Sequence, residues 1–438
     1  MAATRVAPPA ARAAATPSYA RGARILSIGI ASTGLFTFAY FAVASHVLPA
    51  AEYGAISTLW AVLFVVISVI YRPVEQLLSR TIADRIARGR TRGHPLRVPM
   101  AIQAGFAALF LVVALALKGP ITNAFDGASA LYWVFLGAVL AYAGSYFARG
   151  YLAGHRWFGL YGGLVLFESI SRFCFPAAVA VGVTSGQTAV ALGIVAAPFA
   201  SLLVVPWALT RHARLDEAAG APAADRGLTM RAGAGFALSV ALIQLSEQAL
   251  VNSSVLTVDA AEGAALAGVV FNAMLIARAP LQLFQAVQTT LLPHLSGLEV
   301  TEGRDAFARA IRITVRAIAA FAGACALGLL AIGPRVMDVV FGSGYHYGRF
   351  GLAVIAIGMG FHLSAGTLNQ AALARGRARV ASCCWLAAGA LFLGWMLTPA
   401  VSSQLVRAEL GYAGATAVLC ALLWGLYRRG RATGDYHS

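Results

Sequence analysis

The chain has 438 residues, 59% of them hydrophobic and only 11% charged, with a formal net charge of +16. Soluble proteins carry about a quarter of their residues as Asp, Glu, Lys and Arg, so the composition excludes an ordinary soluble fold and indicates a polytopic membrane protein. The positive charge is almost wholly arginine, with Lys118 the only lysine, and it lies in short segments between apolar spans; that distribution reads as membrane topology and excludes nucleic acid as a partner.

Residues 1–24 form an Ala/Pro-rich tail with Arg5, Arg12, Arg21 and Arg24, and no acidic residue precedes Glu52. The first apolar span, 25–48, is too long for the core of a signal peptide. Spans long enough to cross a core of about 30 Å follow at 55–79, 98–117, 130–149, 158–182 and 189–209. A polar loop, 210–232, separates these from a second set at 234–257, 264–291, 312–333, 350–372, 380–399 and 410–427, and the chain ends in a short tail, 428–438. The expected fold is therefore all-α: twelve transmembrane helices in two lobes of six, 25–209 and 233–427.

Of the 33 basic residues, 27 fall on the side of the tails and 4 on the other, Lys118, Arg335, Arg349 and Arg407. The positive-inside rule then makes both termini cytoplasmic. This count takes Arg72, Arg149, Arg312 and Arg316 with the cytoplasmic segments and leaves Arg172 and Arg278 within spans.

The two lobes read as copies. Residues 50–80, AAEYGAISTLWAVLFVVISVIYRPVEQLLSR, return in degraded form at 260–285, AAEGAALAGVVFNAMLIARAPLQLFQ. Gly119-Pro120 after the third span matches Gly333-Pro334 after the ninth, and Ala148-Arg149-Gly150 after the fourth matches Ala374-Arg375-Gly376 after the tenth. Each copy holds an even number of spans, so the two face the same way about an axis along the membrane normal.

Charges kept inside a membrane are costly and are functional candidates by default. Glu75 follows the Pro73 break, Glu168 and Arg172 stand at i and i+4, and Glu247 shares a helix face with Gln244, Gln248 and Asn252. Arg278, Gln282, Gln285 and Thr289 make a second polar stripe. One reading is a hydrated cavity in which Arg278 and Arg172 hold an anionic head group, Gln282, Gln285, Gln248 and Asn252 hydrogen-bond the cargo, and Glu247, Glu168 or Glu75 carries a coupling ion. The other is structural: Glu168 and Arg172 neutralise each other along one helix, and the glutamines join helices. His362, with Asn369 and Gln370, is read as packing or as an extension of the polar lining. Tyr345-His346-Tyr347 is expected at an outer aromatic belt. The five cysteines have no metal-ligand spacing, and no P-loop lysine, His-Glu-x-x-His, Cys-x-x-Cys or Gly-x-Ser-x-Gly pattern is present, so neither an enzyme nor a cofactor is expected. Transport remains.

Several stretches carry a resemblance: LPAAEYGAISTLW at 48–60, RPVEQLLSRTIADRIARG at 72–89, FARGYLAGHRWFGLYGGLVLFESISR at 147–172, QALVNSSVL at 248–256 and ARAPLQLFQAVQTTLLPHLS at 277–296. As an ordered set, over 24–427, they resemble the polysaccharide-export flippases of the multidrug/oligosaccharidyl-lipid/polysaccharide exporter superfamily. The resemblance implies two lobes that alternate between inward- and outward-open states, and a cargo of isoprenoid-pyrophosphate-linked oligosaccharide moved across a bacterial inner membrane. H⁺ or Na⁺ coupling, contact with membrane lipids, and work beside polysaccharide polymerase or glycosyltransferase machinery come with it. A multidrug organic-cation antiporter of the same fold, or a non-transporting scaffold for envelope assembly, remains open at this point.

Overall fold

A computed structural model describes residues 17–87, 96–208, 210, 229–277, 304–374, 377–399 and 401–432. The first half holds α1 (Pro17–Val47), α2 (Ala50–Ile70), α3 (Arg72–Ala87), α4 (Arg97–Ala116), α5 (Lys118–Asn123), α6 (Ser129–Gly154), α7 (Phe158–Ala180) and α8 (Gly186–Ser201). The second holds α9 (Met230–Glu262), α10 (Ala264–Ala277), α11 (Arg304–Phe341), α12 (Arg349–Ala374), α13 (Ala378–Leu397) and α14 (Gln404–Ala432). Among the described residues there is no strand, and ten helices are long and apolar enough to cross a membrane. To these α1 adds 31 residues, and α10 is the start of the span expected at 264–291.

The helices pair in the same pattern in both halves. The first spans of each half pack on the fifth (α1 on α7, α9 on α13), the third on the fourth (α4 on α6, α11 on α12), and the sixth on both the fourth and the fifth. This repetition is what a duplicated unit requires, and it builds two lobes. The lobes meet where α2 and α3 of the first run along α9 of the second.

The landmarks behave differently in the two copies. Gly119-Pro120 does break the chain, starting the short α5, whereas Pro334 lies inside α11, which continues to Phe341. Proline removes one backbone donor, yet α11 runs on through it; beside it Gly333 lies close to α12, where a Cβ would come within 2.8 Å of Leu352. Nor does Pro73 end the second span. Tyr71 keeps helical dihedrals, donates to the Ile67 carbonyl at 3.0 Å and accepts from the Glu75 N–H at 3.0 Å, so one span runs from Ala50 to Ala83. Similarly, Ala148-Arg149-Gly150 does not close the fourth span, because α6 continues to Gly154. Gly150 lets α6 lie against α3, where a Cβ would sit 2.7 Å from the Glu75 carbonyl oxygen.

Candidate functional site

Between the lobes lies a cavity of about 490 Å³. Its first wall is α6, whose Tyr142, Tyr146 and Arg149 recur at spacings of four and three and so share a face. The face of α7 opposite carries Tyr161, Val165, Glu168 and Arg172; α2 contributes Trp60 and Phe64, and α3 contributes Arg72. The second lobe closes it with Glu247, Gln248 and Asn252 of α9 and His362 of α12.

Glu168 is the centre of the first wall. Its Oε1 accepts from Tyr142 Oη at 3.1 Å and Arg172 Nη2 at 2.9 Å; its Oε2 accepts from Ser145 Oγ at 3.1 Å and Arg149 Nη2 at 2.5 Å. One carboxylate therefore holds two guanidinium groups, one from its own helix and one from α6. Each guanidinium also lies over an aromatic face, Arg172 on Trp60 and Arg149 on Tyr146, both at 4.6 Å from the ring centroid. A cation over a ring face is attracted by its quadrupole, so the two stacks fix the planes of the arginines. Glu168 is saturated, but the Nε atoms of Arg149 and Arg172 are buried donors without a hydrogen-bond partner.

A second polar chain crosses from lobe to lobe. Arg72 Nη1 donates to Gln244 Oε1 at 3.0 Å, and Gln244 Nε2 donates to Glu247 Oε2 at 3.1 Å. One turn further along α9, Asn252 Nδ2 donates to Gln248 Oε1 at 2.7 Å.

At the end of the molecule that carries Pro49 and Gly263 the lobes are sealed. Tyr53 Oη donates to Asn272 Oδ1, and the Tyr53 ring meets Tyr345 edge-on at 5.1 Å. Phe41 packs on Phe271 at 4.5 Å, and α2 touches α10 so closely that a Cβ on Gly54 would stand 1.9 Å from the Ala264 carbonyl oxygen. Tyr345 is thus buried in this seal, Tyr347 is buried within the second lobe beside Gly351, and the two do not form an exposed belt; His346 alone of the three points out, paired with Asp338 at 2.9 Å.

Of the residues singled out from sequence, Arg172, Glu168, Glu247, Gln248 and Asn252 line one cavity. Glu75 stands behind this wall and accepts the Tyr161 hydroxyl at 2.9 Å. Arg278, Gln282, Gln285 and Thr289 lie outside the described residues. The positive-inside count places Arg149 and Arg72 among cytoplasmic arginines, so charge alone does not mark them for the cavity, and the tyrosines and Trp60 carry no charge signal at all. A periodicity signal existed for α6, since Tyr142, Tyr146 and Arg149 recur on one side of a span.

No family model matches the chain, and no curated protein matches it in sequence. Solved structures do match. An inward-facing conformation of a multidrug resistance MATE family transporter of the MOP superfamily aligns over 94% of this chain and 99% of its own, at 13% identity and a TM-score of 0.65. A point mutant of the Vibrio cholerae MATE transporter VcmN aligns over 96% and 99%, at 14% identity and 0.64. The fold is that of the MATE transporters. An outward-facing MATE structure fits about as well, with 15% identity, 95% and 96% coverage and a TM-score of 0.64. At such identities the likeness is one of fold, a membrane-transporter architecture of twelve helices in two lobes; it does not reach the polysaccharide-export branch. In the MATE fold of this chain, the cavity lies where the lobes face each other.

Proposed function

We propose that the protein is an alternating-access flippase that moves an isoprenoid-pyrophosphate-linked oligosaccharide from the inner to the outer leaflet of a bacterial plasma membrane, with both termini cytoplasmic. The observation that carries this reading is the donor surplus of the cavity. Arg72, Arg149 and Arg172 face it against Glu168 and Glu247, and the Glu168 carboxylate already has four donors. Arginine presents a planar fork suited to phosphate oxygens, and this excess of guanidinium over carboxylate suits a pyrophosphate. Gln248, Asn252 and Tyr161 supply hydrogen-bonding groups for sugar, and the seam between lobes leaves a route for the lipid tail. Glu247 is the coupling carboxylate in this reading, because it faces the cavity while Glu168 is fully engaged.

A second reading, multidrug organic-cation antiport, is favoured by the descriptions of the matched structures as multidrug resistance transporters. Against it stands the state of two of the cavity's aromatic rings: Trp60 and Tyr146, beside the buried carboxylate, already carry guanidinium groups on a face that an organic cation would need, which leaves Phe64, Tyr142, Tyr161 and Phe271.

The test is flipping of a fluorescent isoprenoid-pyrophosphate oligosaccharide in proteoliposomes, with and without a pH gradient, beside uptake of an organic cation. Flipping that falls at least tenfold in Arg149→Gln, with cation uptake at background, supports the flippase. Cation uptake by the wild type with no flipping of several glycans would replace it with the antiporter.

A further inference from the structure

The helix α11 carries a feature the cavity does not use. Arg309, Arg312 and Arg316 are all exposed, and at 3.6 residues per turn they fall within an arc of about 60° on one side of the helix. That side looks away from the protein: Arg309, Arg312, Arg316 and Ala320 are exposed, whereas Ile311, Thr314, Ile318 and Ala322 on the opposite side are buried. Toward the other end of the helix the same arc becomes apolar and shallow. It continues through Ala320, Gly323 and Leu327; Leu327 is 69% exposed, and a Cβ added at Gly323 would meet nothing within 4 Å.

Depth follows from the helix rise. Arg335 of the same helix is exposed and stands at the opposite head-group level, and Arg316 lies 19 residues before it, roughly 28 Å along the axis at 1.5 Å per residue. A hydrocarbon core of about 30 Å therefore ends near Arg316, so Arg316, Arg312 and Arg309 stand at and beyond its edge at head-group level while Ala320, Gly323 and Leu327 stand at acyl depth. The equivalent peripheral helix of the first lobe, α4, offers Arg97 alone at this level among its own residues.

We infer that this face of α11 is a binding site for a diacyl anionic phospholipid of the arginine-rich leaflet, its phosphate held by Arg309, Arg312 and Arg316 and one acyl chain lying over Gly323. The positive charge of the stripe and the open apolar strip beneath it match the two parts of such a lipid. The site is separate from the cargo cavity and does not depend on what the protein transports.

The test is native mass spectrometry of the full chain in detergent, titrated with phosphatidylglycerol or with phosphatidylcholine of the same acyl chains. Each arginine near an anionic surface contributes roughly a fivefold factor in affinity, so replacing all three by glutamine should weaken phosphatidylglycerol binding on the order of a hundredfold. Arg97→Gln should leave it unchanged, and the triple Arg→Lys variant, which keeps the charge, should retain most of it. Equal retention of phosphatidylglycerol by wild type and the triple glutamine variant would overturn the site. So would equal binding of phosphatidylcholine by the wild type, or loss of binding in the lysine variant.

Discussion

Glu168→Gln is the perturbation that reads the polar wall most directly. The amide keeps the shape of the carboxylate but removes the only charge that the hydrogen bonds place against two guanidinium groups, Arg149 with a side chain 14% exposed and Arg172 with one 2% exposed. Leaving a buried charge without its partner costs about 3–5 kcal/mol. Because Arg149 touches the cavity and can recruit water there, the expected loss lies near the low end, about 3 kcal/mol. The assay is denaturation in mixed micelles with increasing SDS, followed by tryptophan fluorescence. Glu168→Gln/Arg149→Gln removes one of the stranded cations and should recover at least about 1 kcal/mol, a coupling expected of residues in contact. Stability of Glu168→Gln within about 0.5 kcal/mol of wild type, the range of ordinary surface substitutions, would refute the claim that this carboxylate organises the wall.

The seal and the inter-lobe chain give further expectations. In Gly54→Val a side chain would occupy the place of the Ala264 carbonyl, so the sealed state should lose about 1–3 kcal/mol; Asn272→Cys in a cysteine-free background should then react faster with a maleimide added to the protein in detergent. Tyr53→Phe leaves Asn272, which is fully buried, without its donor, and should weaken the same seal by about 1–3 kcal/mol, read by maleimide labelling of Ala267→Cys, a fully buried position of α10 that leaves Asn272 in place. Glu247→Gln should abolish the dependence of flipping on a pH gradient while leaving binding of the cargo intact, measured by vesicle flipping beside equilibrium binding.

Much of the architecture was legible because its cause is one-dimensional. Apolar runs of membrane length and the uneven placement of arginine do not depend on tertiary contacts, and the repeated motif at 50–80 and 260–285 marks a duplication that reappears as repeated helix pairing. The proline landmarks were less reliable guides, since Pro334 is carried inside α11 and Pro73 inside a continuous span. The cavity was only half visible. Glu168 and Arg172 could be found as charges four residues apart within one span, but Arg149 reads as an ordinary flanking arginine until α6 is seen to extend to Gly154 and to turn that side chain toward α7. Its partner is 19 residues away on another helix, a relation that no periodicity encodes. Tyr345 and Tyr347 misled for a similar reason. Aromatic residues after a span suit an interface, yet here the loop folds inward, burying Tyr347 in its own lobe and using Tyr345 to close the two lobes.

The central claim is that the cavity receives the anionic head group of a lipid-linked glycan. It is tested most directly by competition binding on the purified protein, with an isoprenoid-pyrophosphate oligosaccharide and a tetraphenylphosphonium-type cation measured against wild type and Arg149→Gln. The expected result is saturable binding of the pyrophosphate lipid that weakens at least tenfold in the variant, with no competition from the cation. Tight binding of the cation that is unaffected or strengthened by Arg149→Gln, with the pyrophosphate lipid excluded, would contradict it.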